Sequence, residues 1–245
     1  TMILVNDETG EVNAILDGTY LTRIRTGAVS GAATDILARK ESRIFALLGT
    51  GGQAVTQLEA VLAVRDIQLV KVYDLNEERA KAFAERMTKI FGNKSGLKIL
   101  AAETPEEAVQ DADIITTVTV AKTAVFDGKL VKKNVHINGV GSYTPDMAEI
   151  DEYIVTHADK VYVDTLDGVI RESGDIIQPV HKGLFKESDI TGELGDVILG
   201  RVPGRESDDE MTYFETTGSA VLDLVTAKRM LEYAEQQGIG KIIEM

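Results

Sequence analysis

With 245 residues, 44% of them hydrophobic, the chain is long enough to bury a large core, and no apolar run reaches the roughly 20 residues of a membrane span. A net charge of −14 opposes attraction to phosphate backbones and anionic bilayers, so neither nucleic acid nor membrane is an expected partner. Zero cysteines removes disulfides, thiolate metal sites and a Cys nucleophile and fits a reducing cytoplasm, while His136, His157 and His181 lack the i, i+4 spacing of a metal pair; no metal is expected.

In chain order, Met2–Val5 and Val12–Leu16 are β-rich runs on either side of Asn6-Asp7-Glu8-Thr9-Gly10, which predicts a hairpin. A helical pattern from Thr19 to Lys40 carries Gly27, Ala28, Ser30, Gly31, Ala32 and Ala33, so another element is expected to pack very close to it. Strand and helix patterns then alternate: strand Ile44–Leu48, helix Gln53–Val64, strand Leu69–Tyr73, helix Glu77–Phe91, and strands Leu97–Ala101, Ile114–Val118 and Val135–Val140. Pro105–Val109 reads as a short helix start, and His136 as a satisfied core or edge histidine within its strand. This alternation predicts an α/β fold, a doubly wound parallel sheet of the Rossmann type with helices on both faces, over residues 42–200. Val161–Val163 reads as one more strand, and Leu166 to Gly204 as Gly-punctuated helix and loop. After the polar break at Pro203–Glu210, a strand-like run Met211–Phe214 leads into a helix from Ser219 to Gln237, which Gly238 and Gly240 close.

Gly49-Thr50-Gly51-Gly52-Gln53-Ala54 spells GxGxxA between the strand Phe45–Leu48 and a helical pattern. Gly49 permits the tight turn, Gly51 lets backbone approach a pyrophosphate, and Ala54 lets helix and strand pack closely. Amides at the helix N-terminus then face the phosphates. About 20 residues past Ala54 the second strand ends at Asp74, whose carboxylate can accept both ribose hydroxyls and would repel a 2′-phosphate. The expected cofactor is NAD(H), with NADP(H) disfavoured. Thr116, Thr117 and Thr119 fall at the carboxyl edge of the fourth strand, where ligands bind in such sheets, although β-propensity alone also accounts for threonines there. On the first helix, Arg25 sits among Leu21, Ala28 and Val29, so its guanidinium needs an anion. A substrate carboxylate and a protein Asp or Glu both satisfy that need.

The run Leu16–Ala28, ending Thr22-Arg23-Ile24-Arg25-Thr26-Gly27-Ala28, followed by Gly49–Ala54, resembles the ornithine cyclodeaminase and mu-crystallin family. Ile137-Asn138-Gly139-Val140-Gly141-Ser142, Gly204-Arg205 and Phe214-Glu215-Thr216-Thr217-Gly218-Ser219-Ala220 extend the resemblance over essentially the whole chain. The resemblance implies that Arg25 contacts the substrate carboxylate and the cofactor, that Gly52 and Gln53 line the pyrophosphate, and that Asp74 meets the adenosine ribose. Thr117 and Val140 become the inner cofactor wall, and Thr216 and Thr217 face nicotinamide and substrate. It also implies that the 42–200 domain is inserted between two parts, 1–41 and 201–245, of a second domain that binds substrate and forms a homodimer. Family members carry an upstream segment with a substrate-binding arginine and lysine, so this chain resembles a fragment. The cyclodeaminases place a carboxylate that serves as catalytic base after a Gly-Gly or Gly-Ser pair; here Gly141-Ser142 precedes Tyr143, and Asp146 is the nearest carboxylate.

The expected activity is an NAD(H)-dependent oxidoreductase acting on the C–N bond of a small amino or imino acid, like the cyclic imine and pyrroline-carboxylate reductases. Ornithine cyclodeamination and cofactor-dependent binding without turnover, as in mu-crystallin, are the alternatives. Tyr143 favours reduction, because a phenol of ordinary pKa about 10 donates a proton at neutral pH and is a poor base. Asp146 reads either as a substitute for the catalytic carboxylate base or as a first-turn residue of a helix capped by Thr144 and begun at Pro145.

Overall fold

The structure is a computed structural model that describes residues 1–92 and 96–243. Its elements are β1 (Met2–Val5), β2 (Val12–Leu16), α1 (Gly18–Leu37), β3 (Ile44–Leu48), α2 (Ala54–Val64), β4 (Leu69–Tyr73), α3 (Glu77–Phe91), β5 (Lys98–Ala101), α4 (Pro105–Val109), β6 (Ile114–Thr117) and β7 (His136–Gly139). They continue with α5 (Glu152–His157), β8 (Lys160–Val163), α6 (Leu166–Glu172), α7 (Gly174–His181), β9 (Gly192–Glu193), α8 (Leu194–Ile198), β10 (Thr212–Glu215) and α9 (Ala220–Gln237). Contacts divide the chain into two units, Thr26–Gly218 and a smaller one of residues 1–25 together with those from Ser219 onward.

The larger unit is built on one sheet of eight strands in the order β5-β4-β3-β6-β7-β10-β8-β9, every pairing parallel. Successive side chains point to opposite faces, so the central strands β3 and β6 feed a core on each side of the sheet. Phe45 and Leu47 of β3, with Val70, Val72 and Ile99, pack under Leu58 and Val61 of α2 and Phe83 and Met87 of α3. Ala46 and Leu48, with Ile115, Ile137, Val161 and Tyr213, join Val109, Ile154, Val169 and Ile176 on the other side. Local chemistry starts the helices: Asn76 accepts from Arg79 N at 3.1 Å to open α3, and Thr104 from Glu107 N at 3.1 Å to open α4 at Pro105. The close packing expected of α1 is against α2, since a Cβ at Gly27 would lie 2.7 Å from Thr56 O and one at Gly31 would lie 3.0 Å from Ala60 Cβ.

Two features differ from the sequence expectation. The helix predicted to reach Lys40 ends at Leu37. The strand predicted at 211–214, which the 42–200 boundary leaves outside the sheet, is β10, buried throughout and paired to β7 on one side and β8 on the other. A strand with two parallel neighbours belongs to the middle of the sheet, so the unit closes at Gly218 instead of 200.

The smaller unit pairs β1 and β2 antiparallel, Ile3 opposite Ile15 and Leu4 opposite Ala14. Asn6 Oδ1 accepts from Glu8 N and Thr9 N, which shapes the predicted turn. Leu4, Leu21 and Ala227 form its core with Met2, Ala14, Leu16, Met230 and Leu231, while Ile3, Val5, Val12 and Ile15 lie exposed. Gly238 ends α9 in the left-handed conformation, φ 64°.

Candidate functional site

The order β5-β4-β3 then β6-β7 reverses direction at β3/β6, the switch point at which doubly wound sheets bind ligands beyond the carboxyl ends of their strands. The GxGxxA turn lies there. Gly49 has φ +102° and donates to Tyr73 O at 2.8 Å, and a Cβ on it would sit 2.6 Å from Val118 O, so only glycine fits. A Cβ at Gly51 would meet no protein atom within 4 Å, which leaves that side of the turn open to a phosphate. Gly52 is exposed, Gln53 precedes the first residue of α2, and Ala54 is fully buried against the sheet. The eleven-residue helix directs its N-terminal amides and positive dipole end at this opening.

Asp74 follows β4. Its Oδ2 accepts from Thr50 N at 3.0 Å and Thr50 Oγ1 at 2.5 Å, and its Oδ1 from Asn76 N at 3.0 Å, with Arg79 Nη2 3.9 Å from Oδ2. Partial burial pulls its pKa upward, but the bonds from Thr50 and Asn76 and the Arg79 charge outweigh that and hold it below the ordinary carboxylate value. It is therefore an ionised acceptor beside the opening.

Thr117 and Val140 end adjacent strands, with Val140 N donating to Thr117 O at 3.1 Å. Gln53 Oε1, Thr117 Oγ1 and Thr217 Oγ1 are buried polar atoms without a partner among the described residues. Such atoms are expensive unless a ligand or water meets them, and together with the turn they fit a dinucleotide. Thr216 is committed differently: its Oγ1 donates to Asp164 Oδ2 at 2.6 Å and its N to Gly139 O at 3.0 Å.

On the loop after β7, Tyr143 is 55% exposed. Asp146 accepts from Lys122 Nζ at 2.7 Å and Thr144 Oγ1 at 2.7 Å, bonds that hold its pKa down to about 2. The helix that Thr144 could have capped does not form; Met147 N closes a single turn on Thr144 O. In the smaller unit, Arg25 Nε donates to Asp223 Oδ1 at 3.2 Å, and Nη1 and Nη2 take no partner among the described residues. The protein acid therefore occupies only one edge of the guanidinium.

A sequence model of the ornithine cyclodeaminase/mu-crystallin family matches residues 1–238. The chain belongs to this family. It is 46% identical over 244 residues to a Delta(1)-pyrroline-2-carboxylate reductase of Bacillus cereus, spanning 99% of this chain and 74% of that protein. Among solved structures, the Thermococcus litoralis Delta(1)-pyrroline-2-carboxylate reductase in complex with NADH and L-proline superposes with a TM-score of 0.94 at 41% identity, covering 98% of this chain and 73% of that one. An archaeal alanine dehydrogenase dimer with bound NAD follows, with a TM-score of 0.91 at 37% identity over 99% of this chain and 73% of that one.

Sequence reading missed one constellation of this family member. Glu149, Asp175 and Glu215 are all buried, together with Ser142, Ser173 and Tyr213. Glu149 Oε1 accepts from Thr119 N, and its Oε2 accepts from Gly141 N at 2.5 Å. Asp175 Oδ1 accepts from Glu149 N at 2.8 Å and Ile150 N at 2.9 Å. Glu215 accepts from Ser173 Oγ at 2.6 Å and from the Tyr213 hydroxyl. Burial drives all three carboxyls upward, Glu149 and Asp175 to about 7 and Glu215 well above its ordinary value. The available signal was an acid inside an apolar strand run, Tyr213-Phe214-Glu215.

Proposed function

We propose that this chain is an NAD(H)-dependent oxidoreductase that reduces the C=N bond of a small cyclic α-imino acid of the pyrroline-2-carboxylate type. The observation that carries the reading is its 46% identity to a Delta(1)-pyrroline-2-carboxylate reductase over 99% of its length. Reduced nicotinamide, when bound, supplies the hydride. Gly49, Gly51, Gly52 and Gln53 hold the pyrophosphate at the start of α2, and Ala54 seats that helix on the sheet. Asp74 takes the adenosine ribose hydroxyls, and Thr117, Val140 and Thr216 wall the inner half. Thr217, with its buried hydroxyl unpartnered among the described residues, is assigned to the substrate.

Arg25 binds the substrate carboxylate with Nη1 and Nη2, the fork that Asp223 leaves over. The proton for the imine nitrogen is assigned to the Tyr143 hydroxyl. Asp146 is the weaker candidate, because a carboxylate with a pKa near 2 accepts and delivers protons poorly at neutral pH. This separates reduction from ornithine cyclisation, which needs a base.

Assembly as a homodimer belongs to the same proposal: Ile3, Val5, Val12 and Ile15 make an exposed apolar hairpin face, and sedimentation giving a monomer at micromolar concentration would remove it. Residues 1–25 and those from Ser219 onward would be this substrate and assembly part. No described helix is long and apolar enough to cross a membrane, and the absence of cysteine supports a reducing, cytoplasmic setting. The test of activity is to mix protein, NADH and Δ1-pyrroline-2-carboxylate and follow the loss of NADH absorbance against proline formed. Equal amounts are expected. Rapid proline and ammonia from ornithine with catalytic NAD and no net NADH change would refute the reductase.

A further inference from the structure

Glu149 touches two loops that the cofactor reading needs but gives no role of its own. One follows β6 and presents Thr119 N; the other follows β7 and presents Gly141 N, and each amide donates to a different oxygen of the same carboxylate. The β6 loop also abuts the pyrophosphate turn, since a Cβ at Gly49 would meet Val118 O at 2.6 Å and Thr119 Cγ2 at 3.0 Å. A Cβ at Gly141 would collide with both Glu149 Oε2 and Thr119 O, so the two loops are drawn together as closely as backbone allows. If Asp74 takes the adenosine end beside β4, as the NAD(H) reading above has it, a dinucleotide crossing the β3/β6 switch point would lay its nicotinamide half over these loops.

We infer that Glu149 is a positioning residue: its carboxylate clips the loop after β6 to the loop after β7 and so sets the geometry of the nicotinamide half of the site. The inference rests on the NAD(H) reading above. A carboxylate suits the work because it offers acceptors at both oxygens, whereas an amide or a protonated acid presents a donor at one of them. Its surroundings make the clip sensitive to protons. Asp175 of α7 and Glu215 and Tyr213 of β10 face it, and no Lys or Arg pairs with any of the three carboxyls among the described residues. Asp175 Oδ2 has no partner there either, so like charges and burial oppose ionisation while the two amides favour it. The balance falls at about pH 7, within reach of ordinary buffers.

The test titrates NADH fluorescence on the full chain between pH 5.5 and 8.5. For the native protein the dissociation constant should rise as pH falls through about 7. Glu149→Gln should bind roughly tenfold more weakly at pH 8, the scale of one compromised hydrogen bond, and lose the pH dependence. Asp175→Asn keeps an acceptor for the amides of Glu149 and Ile150 but removes the neighbouring charge, so it should move the midpoint to lower pH. A merely structural glutamate would lower the melting temperature and leave affinity and pH profile at native values, which overturns the inference. If Glu149→Gln does not fold, an unshifted Asp175→Asn midpoint overturns it equally, and so does a flat native profile. A native protein that binds no NADH overturns the cofactor reading itself, and the clip with it.

Discussion

Replacing Asp74 by serine tests the adenosine end of the site in both directions. The carboxylate already accepts three hydrogen bonds, from Thr50 N, Thr50 Oγ1 and Asn76 N, and its remaining lone pairs are the ones proposed for the ribose hydroxyls. A hydrogen bond to a charged group contributes about 1.5–3 kcal/mol, so losing one should weaken NADH by roughly 10- to 150-fold. For NADPH the dominant change is relief of repulsion. At about 5 Å and an effective dielectric near 40, intermediate between a protein edge and water, a unit charge on the 2′-phosphate is repelled by about 1.7 kcal/mol, or roughly 15-fold. Arg79, 3.9 Å from the lost carboxylate, becomes available to the phosphate and adds to the gain. The NADH-over-NADPH preference should therefore shrink on the order of 10² to 10³. Fluorescence titration with both reduced cofactors measures it, with circular dichroism as the check on folding. A folded Asp74→Ser protein whose preference stays within about threefold of native would refute the argument that this charge selects the cofactor.

Arg25→Lys should raise KM for the imino acid about tenfold or more with NADH affinity unchanged, because a point charge cannot reproduce the two-nitrogen fork; an unchanged KM would make Arg25 purely the partner of Asp223. Tyr143→Phe should lower kcat for imine reduction by on the order of 10², while NADH binding persists, and full activity would move the proton-donor role elsewhere. His136, buried between Thr212 Oγ1 at 2.9 Å and Asn138 Oδ1 at 3.1 Å, is held by burial down to about 3 from an ordinary 6.5. Its contribution to stability is therefore complete above pH 6.5 and lost as pH falls toward 3, while the raised Glu149 and Asp175 act in the opposite sense between their ordinary values and about 7. In urea unfolding, the stability deficit of His136→Gln relative to native should shrink by up to about 1.4 kcal/mol per pH unit below 6.5; a constant deficit would mean that the folded imidazole titrates normally.

What the sequence made legible was local. The turn at Gly49–Ala54 carries its requirements in consecutive residues, and the acid at Asp74 follows at a distance set by one helix and one strand, so both were readable before any fold was known. The small residues of α1 announced a close neighbour without naming it; α2 is that neighbour. Arg25 was undecided because its partner, Asp223, lies at the other end of the chain. Glu149 was invisible for a different reason: an acid in sequence reads as solvated, and only tertiary packing of α7 and β10 makes it a buried one. The position of β10 was likewise beyond local pattern, since a strand's periodicity tells which faces are buried and not which neighbours it has.

That position also dictates a schedule. As the chain leaves the ribosome, β7 and β8 are made well before β10; β7 can pair with β6 and β8 with β9, yet neither gains its second neighbour until β10 slides between them. Until then each strand has an unpaired edge, the kind of edge that recruits other chains. Folding of the larger unit is therefore gated by its last strand, a long-range step that contact-order arguments make slow, and pulse-labelled hydrogen exchange should find the β7 and β8 amides on the sides that face β10 protected only in step with those of β10. A nascent chain stalled before Thr212 is then an aggregation hazard, although every glycine and acid of the cofactor turn has already been translated.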